Sequence, residues 1–259
     1  MAYPVVLVHG MWCQGAHWNR IKEQMTLRGY ECHTPTLPDH ESGPDQSQQV
    51  ASKSLKDYLA FLEDYIQRQN FSRPPILIGH SMGGWLVQAL AAKINPLAIV
   101  LLTPAAPAGI NGLRGSNLML FAPHFARWGF THKSYKPSLS LSRRYLFNGL
   151  SASEQERIYS TMVHESGRTP FELGMWWLDG GKAARIDTTK VQCPVYVVVS
   201  DTDGTTPGDV VRKVAALYPR ASLRIYPQRS HWVVDDEDTE DMVHEICGWL
   251  RPIEQKRGR

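Results

Sequence analysis

Short runs of β-branched residues alternate along this chain with longer segments of helical periodicity. The runs are almost wholly apolar, which is typical of parallel strands in a sheet covered on both faces. Four such runs predict strands at Val5–Val8, Ile76–Ile78, Leu97–Leu102 and Val195–Val199, and the strand-like stretch Ser222–Tyr226 predicts a fifth. Helices are predicted at Gly15–Arg28, Gln46–Gln69, Ser81–Lys93, Gly208–Leu217 and Glu237–Leu250. This alternation predicts an α/β fold with a mostly parallel sheet and helices on both faces.

The alternation stops between Pro104 and about Lys190. Proline and glycine cluster at the entry to this stretch, and helical pieces follow with no strands between them. We therefore predict a core in two parts, residues 1–103 and 191–259, with a helical cap at 104–190. A length of 259 residues suits one compact unit carrying such an insertion.

Composition excludes several classes of protein. With 42% hydrophobic and 20% charged residues the chain is not largely disordered, and a net charge of +3 is too small to suggest a nucleic-acid partner. Its four cysteines lack C-x-x-C spacing, and each His-Glu pair lacks the second histidine of H-E-x-x-H, so we expect no metal and no other cofactor. The sequence begins without a cleavable leader pattern and has no membrane-length apolar stretch, so a cytoplasmic location is expected.

One motif lies between a predicted strand and a predicted helix. Ile76–Ile78 runs directly into Gly79-His80-Ser81-Met82-Gly83-Gly84, which contains G-x-S-x-G. In this context the tight turn projects the serine Oγ above the sheet edge, and the flanking positions are glycine because a Cβ would clash with the strand or the helix. Ser81 is therefore the predicted nucleophile, and His80 is expected to pack or hydrogen-bond beneath the site.

A serine hydroxyl needs a base, and the base needs an acid that orients it. The fourth predicted strand is followed by Asp201 and Asp203, and the fifth by His231. We assign His231 as the base and Asp203 as the acid, with Asp201 as the rival. Asp203 is favoured because Gly204 and Pro207 predict a turn that aims its side chain back across the sheet edge.

These motifs resemble those of the α/β-hydrolase superfamily over essentially the whole chain. The segments that carry the resemblance are GHSMGG, the strand ending in His9-Gly10, DTDGTTP and the late SHW. The order and the short N-terminus also resemble compact esterases related to plant methylesterases and hydroxynitrile lyases. Those relatives carry HG-x-x-x-GAW, whereas this chain is one residue longer there and has His17 in place of the tryptophan. The resemblance implies an oxyanion hole made by the backbone N–H groups of Met11 and Met82.

The implied reaction is hydrolysis of small to medium, largely apolar carboxylic esters through an acyl-enzyme. Thioesterase or lactonase chemistry with the same triad stays open, as does a slow-turnover small-molecule binding protein of the same fold. Dehalogenase and epoxide hydrolase activities are disfavoured because those relatives carry aspartate at the position of Ser81. Hydroxynitrile lyases carry lysine where Trp232 stands and lack glycine at Gly10, so lyase activity is disfavoured too. A monomer or homodimer is expected.

Aromatic residues and charge suggest what surrounds the site. The candidate pocket residues are Trp12, Phe121, Phe125, Trp128, Trp176 and Trp232. For the cap residues among them, packing within the cap's own core is the alternative. From Pro104 to Leu150 there are six Lys or Arg and no Asp or Glu, and Leu118–Phe130 is strongly apolar. This pattern predicts a basic cap entrance that attracts anionic substrates or makes weak contact with anionic lipid, with a solvated face as the alternative.

Overall fold

The computed structural model describes residues 3–257 and is organised around one parallel sheet. The strands are β1 (Pro4–Val8), β2 (Glu31–His33), β3 (Ile76–His80), β4 (Ala98–Leu102), β5 (Ser134–Tyr135), β6 (Glu165–Ser166), β7 (Val195–Ser200) and β8 (Ser222–Tyr226). The α-helices are α1 (Asn19–Leu27), α2 (Gln46–Gln49), α3 (Leu55–Gln69), α4 (Met82–Ile94), α5 (Gly115–Phe125), α6 (Leu139–Tyr145), α7 (Ala152–Thr161), α8 (Arg168–Gly174), α9 (Gly208–Ala216) and α10 (Thr239–Arg257). The main sheet has the order β2-β1-β3-β4-β7-β8 with every pairing parallel. The predicted fold class is confirmed.

Both faces of the central strands are buried, and this follows from their continuous apolar sequence. Val5 and Leu7 of β1 face a core built with α1 and α10, whereas Val6 and Val8 face a second core built with α3, α4 and α9. Successive side chains of a strand point to opposite faces, so an apolar strand can serve both cores. Functional side chains are consequently left to the loops at the carboxyl ends of the strands.

The predicted helix Gln46–Gln69 is two helices separated by a break. After α2 comes a 3₁₀ turn at Val50–Ser52, and the chain is then extended at Lys53. The hydroxyl of Ser54 accepts a hydrogen bond from the Asp57 N–H, and the Asp57 carboxylate accepts one from the Ser54 N–H. This reciprocal cap starts α3 afresh, a local event that helical periodicity alone does not reveal.

The structure adds an edge strand that the sequence pattern did not predict. Glu31–His33 forms β2, which pairs with β1 at one end of the sheet and is partly exposed. Three residues with a charged first member carry little apolar signal, because an edge strand buries less than a central one. The predicted helix Gly15–Arg28 likewise begins as a 3₁₀ turn, Gly15–Trp18, before α1.

The segment from residue 104 to 190, here called the cap segment, contains α5 to α8 and also the strands β5 and β6. The prediction that it lacks strands is wrong, because Ser134 and Tyr135 pair antiparallel with Ser166 and Glu165. Two-residue strands have no alternation to detect. Glu165 of β6 is buried and accepts hydrogen bonds from the Tyr58 hydroxyl at 2.7 Å and from His40 Nε2 at 3.0 Å.

Helix length and hydropathy also bear on contact with membranes. Within residues 3–257, no helix combines the length and the apolar character needed to cross a bilayer.

Candidate active site

Ser81 occupies the turn between β3 and α4. Its backbone has φ 55° and ψ −121°, a conformation that residues with a Cβ rarely adopt. The Ser81 N–H donates to the carbonyl of Leu102 at 3.0 Å, and the Ser81 carbonyl accepts from the Gly84 N–H at 2.9 Å. The turn is therefore held from the neighbouring strand and from its own helix, and it presents the Ser81 side chain at the carboxyl edge of the sheet.

Close approach of the backbone explains the two glycines that flank the serine. A Cβ on Gly83 would lie 2.1 Å from the carbonyl oxygen of Val8, and a Cβ on Gly79 would lie 2.2 Å from the carbonyl oxygen of Gly83. The first turn of α4 thus packs directly against the end of β1. Larger residues at either position would force the elbow apart.

His231 and Asp203 lie in the loops that follow β8 and β7. The distance from His231 Nδ1 to Asp203 Oδ2 is 2.7 Å, and His231 is only 2% exposed. Because a carboxylate accepts this bond, Nδ1 carries the proton and Nε2 is left with a free lone pair. Ser81 and His231 line the same small cavity, of about 10 Å³.

Further donors hold the Asp203 carboxylate in place. Its Oδ1 accepts the backbone N–H of Thr205 at 2.7 Å and that of Thr206 at 2.8 Å, and its Oδ2 lies 2.8 Å from the Thr206 hydroxyl. Asp201 is exposed instead and accepts a backbone N–H from the loop after β8. The structure therefore brings Asp203, and not Asp201, to His231.

His80 lies against the backbone of His231. Its Nε2–H donates to the carbonyl oxygen of His231 at 2.9 Å, and the two ring centroids are 4.7 Å apart. Burial lowers the pKa of His80 well below the usual 6.5, and the nearby His231 imidazole lowers it further. His80 is therefore neutral, and its hydrogen bond holds the loop that carries His231. This agrees with the prediction that His80 hydrogen-bonds beneath the site.

The loop after β1 is oriented by His9. The Leu37 N–H donates to His9 Nε2 at 3.0 Å, so the proton of the neutral ring is on Nδ1, which donates to the carbonyl of Gly10 at 2.9 Å. Burial lowers the pKa of His9 well below 6.5, in keeping with this neutral form. The Gly10 carbonyl and the Met11 N–H belong to one planar peptide and point in opposite directions. Holding the carbonyl therefore sets the direction of the Met11 N–H.

Two backbone donors remain available beside the serine. Within residues 3–257, neither the Met11 N–H nor the Met82 N–H has a protein acceptor, and both residues line a second cavity together with Ser81. Met82 is the first residue of α4, where the helix leaves its N–H groups unpaired and favours negative charge. A Cβ on Gly10 would come within 2.9 Å of the Ser81 Cβ, so only glycine lets the Met11 loop approach this closely.

The second cavity has a volume of about 90 Å³ and is largely apolar. Phe121 and Phe125 of α5 line it, while Trp12 and Trp232 line the smaller cavity beside His231. Further lining residues that sequence reasoning missed are Leu113, Asn117, Pro170, Leu173 and Thr205. They carried no signal because they are not aromatic and reach the cavity from separate parts of the chain.

Trp128 and Trp176 line neither cavity, so the predicted pocket is corrected at these two positions. Trp128 is 95% exposed and follows the end of α5. Trp176 packs against the second core, with its ring centroid 5.6 Å from that of Trp177. An aromatic residue in a cap can face the cleft, the cap interior or water, and only the packing of the helices decides which.

Metal binding needs several suitable side chains close together. Across the described part of the chain, no group of three His, Cys, Asp or Glu side chains is arranged to hold a metal ion.

Comparison with known proteins identifies the family of this chain. A family model described as alpha/beta hydrolase matches residues 5–245. The chain belongs to the alpha/beta hydrolase family. A pyrethroid hydrolase from Sphingobium wenxiniae is 29% identical to this chain over 107 residues, which is 40% of this chain and only 37% of that relative's length.

Solved structures extend the similarity to nearly the whole of this chain. An extracellular alpha/beta-hydrolase from a Paenibacillus species, described as sharing structural and functional homology with tobacco salicylic acid binding protein 2, has a TM-score of 0.73 at 18% identity and covers 93% of this chain and 96% of its own. A methylesterase from Arabidopsis has a TM-score of 0.73 at 14% identity, with 96% and 99% covered. At these identities the similarity establishes the fold.

Proposed function

We propose that this hydrolase cleaves carboxylic esters through an acyl-enzyme formed on Ser81. The observation that carries the proposal is the 2.7 Å contact between His231 Nδ1 and Asp203 Oδ2, made in a buried site whose cavity also contains the strained Ser81. Relatives named a pyrethroid hydrolase and a methylesterase support the same class of reaction.

In the first half-reaction, His231 Nε2 takes the proton from the Ser81 hydroxyl as Oγ attacks the ester carbonyl carbon. The carbonyl oxygen becomes an oxyanion, which accepts hydrogen bonds from the N–H groups of Met11 and Met82. As the tetrahedral intermediate collapses, the bond from carbon to the leaving oxygen breaks. His231 gives its proton to that oxygen, the alcohol departs and the acyl group stays on Ser81.

In the second half-reaction, water replaces the alcohol. His231 Nε2 takes a proton from the water as its oxygen attacks the acyl carbon, and the same two N–H groups hold the new oxyanion. Collapse breaks the bond from carbon to Ser81 Oγ, which recovers its proton from His231. The carboxylic acid leaves and the enzyme returns to its starting state.

The cavity favours small to medium, largely apolar esters. Its volume of about 90 Å³ is bounded by the core on one side and by α5 and α8 of the cap segment on the other. Phe121, Phe125 and Leu173 contribute apolar surface, and Asn117 is one of the few polar groups. Pockets of this composition bind apolar groups and orient them with a few polar contacts.

The test is pre-steady-state hydrolysis of p-nitrophenyl esters from acetate to laurate, with a thioester and a lactone measured in parallel. Ser81→Ala should abolish turnover, and Ser140→Ala, an exposed serine of α6, should leave it unchanged. Repeated turnover that both variants share would exclude Ser81 as the nucleophile. A single stoichiometric release of product followed by slow turnover would instead favour a small-molecule binding protein.

A further inference from the structure

The outer side of α5 is unusual for a helix that faces water. Surface helices normally place charged and polar side chains on the side opposite the core. Here the residues from Gly115 to Ala126 include no Lys, Arg, Asp or Glu, and the one histidine among them, His124, is buried. The exposed positions recur at helical spacing and are Gly115, Leu118, Met119, Ala122, Pro123 and Ala126.

Large apolar side chains extend this exposed surface. Leu118 is 42% exposed, Met119 57% and Trp128 95%. We call Leu118, Met119, Ala122, Pro123 and Trp128 the apolar ridge. Within residues 3–257, five of the eight exposed large apolar side chains lie in the cap segment, and the other two of these five are Trp177 and Leu178. An exposed apolar surface such as that of α5 is typical of an interaction site.

Positive charge borders the apolar ridge. Arg127 and Lys133 are exposed, and within the described residues neither forms an ion pair. Arg114, at the other end of α5, is paired with Asp209, so it contributes less. No acidic residue occurs between Pro104 and Leu150.

We propose that the apolar ridge docks on an anionic lipid surface. Leu118 and Met119 would enter the boundary between headgroups and acyl chains, as apolar faces of interfacial helices do. Trp128 has the amphipathic ring that favours the headgroup level, and Arg127 and Lys133 face the lipid phosphates.

The charges also argue against the obvious alternative, a second copy of the chain. A symmetric dimer through this ridge would cover Arg127 and Lys133 with a second copy of a segment, residues 104–150, that contains no acidic side chain. A lipid surface supplies the opposite charge instead.

Docking in this orientation has a consequence for substrate access. The ridge and the cavity share α5, since Asn117, Phe121 and Phe125 line the cavity from a neighbouring side of the same helix. The cavity then lies at the lipid boundary, where apolar molecules concentrate. The docking itself does not depend on the proposed ester chemistry, so each can fail without the other.

The experiment is co-sedimentation of the full chain with vesicles of phosphatidylcholine alone and of phosphatidylcholine mixed with phosphatidylglycerol. We expect binding to the anionic vesicles that falls as salt is added. The triple variant Leu118→Ser, Met119→Ser, Trp128→Ser should bind at least about tenfold more weakly, because the apolar area that enters the lipid is lost. Arg127→Gln with Lys133→Gln should remove the preference for anionic vesicles.

Leu27→Ser and Leu223→Ser, which change exposed apolar residues outside the cap segment, are the matched controls and should bind as the parent does. Thermal melting verifies that every variant folds. The proposal is overturned if the parent chain binds neither kind of vesicle, or if the controls lose as much vesicle binding as the triple variant of the ridge. A dimer in sedimentation velocity that the ridge variant dissociates would also overturn it and would assign the ridge to a second copy.

Discussion

The imidazole of His9 donates a hydrogen bond of 2.9 Å to the carbonyl oxygen of Gly10. Because the other ring nitrogen accepts the Leu37 N–H, the donor role of Nδ1 is settled by the structure. The same peptide carries the Met11 N–H, which the proposed mechanism uses to hold the oxyanion. In the proposed mechanism His9 is therefore a positioning residue, which acts on the Met11 N–H through one peptide plane.

This relationship predicts different outcomes for two substitutions of His9. Asn places a donor near the position of Nδ1, whereas Gln reaches only toward the position of Nε2. We expect His9→Gln to lower kcat about tenfold with little change in KM, because an oxyanion donor acts in the transition state. His9→Asn should retain more activity.

Binding of a trifluoromethyl ketone, which mimics the oxyanion, separates positioning from general stability. Its affinity should fall in His9→Gln in proportion to kcat. If both variants lose kcat equally while inhibitor affinity stays constant, His9 has only a structural role.

The two aspartates after β7 should differ sharply when each is changed to the isosteric amide. Asp203→Asn should lower kcat by roughly 10⁴-fold, since the amide no longer enforces the His231 tautomer that leaves Nε2 free. Asp201→Asn should leave kcat within about twofold, because exposed surface positions away from the site contribute little. Steady-state hydrolysis of one ester measures both, and a larger loss at Asp201 would reverse the assignment of the acid.

A matched pair of glycine substitutions tests the packing of the elbow. Gly83→Ala should lower the free energy of unfolding by about 3 kcal/mol, because its Cβ would overlap the Val8 carbonyl. Gly248→Ala, in α10 where nothing lies within 4 Å of the new Cβ, should raise it by about 0.5–1 kcal/mol through helix propensity. Urea unfolding measures both, and equal effects would contradict the close approach of α4 to β1.

Stability should fall as the pH drops below 6.5. Burial lowers the pKa of His9 and His80 well below that value, so the unfolded chain binds protons that the folded chain refuses. Each of these two histidines lowers the free energy of unfolding by about 1.4 kcal/mol per pH unit, as long as the pH lies between its unfolded and its folded pKa.

His40 acts in the opposite sense. Burial by itself would lower its pKa, but Glu165 raises the pKa of His40 overall, so this pair stabilises the fold below pH 6.5 and the stabilisation is lost as the pH rises through the raised value. The pKa is lowered in more of the buried histidines than it is raised, so the free energy of unfolding should fall as the pH is lowered. Urea unfolding at a series of pH values measures it, with exposed His132→Gln as the control, and a slope of the reverse sign would contradict the burial of His9 and His80.

The sequence by itself determined the fold class, the four central strands β1, β3, β4 and β7, and the elbow. Each of these depends on short-range physics: continuous apolar runs require a sheet buried on both faces, and the glycines around Ser81 are imposed by sterics within a few residues. The family resemblance rests on the same local features, and the comparison with the family model confirms it.

The tertiary structure decided what depends on distant parts of the chain. Asp201 and Asp203 are two residues apart, and only the turn after β7 directs one of them to His231. Trp128 is aromatic like a pocket residue but faces water. The strand β5 pairs with β6, whose Glu165 is held by His40 and Tyr58, more than a hundred positions away. Long-range packing decides which surface a cap aromatic residue faces and which strand a two-residue strand pairs with, and periodicity within one segment reveals neither.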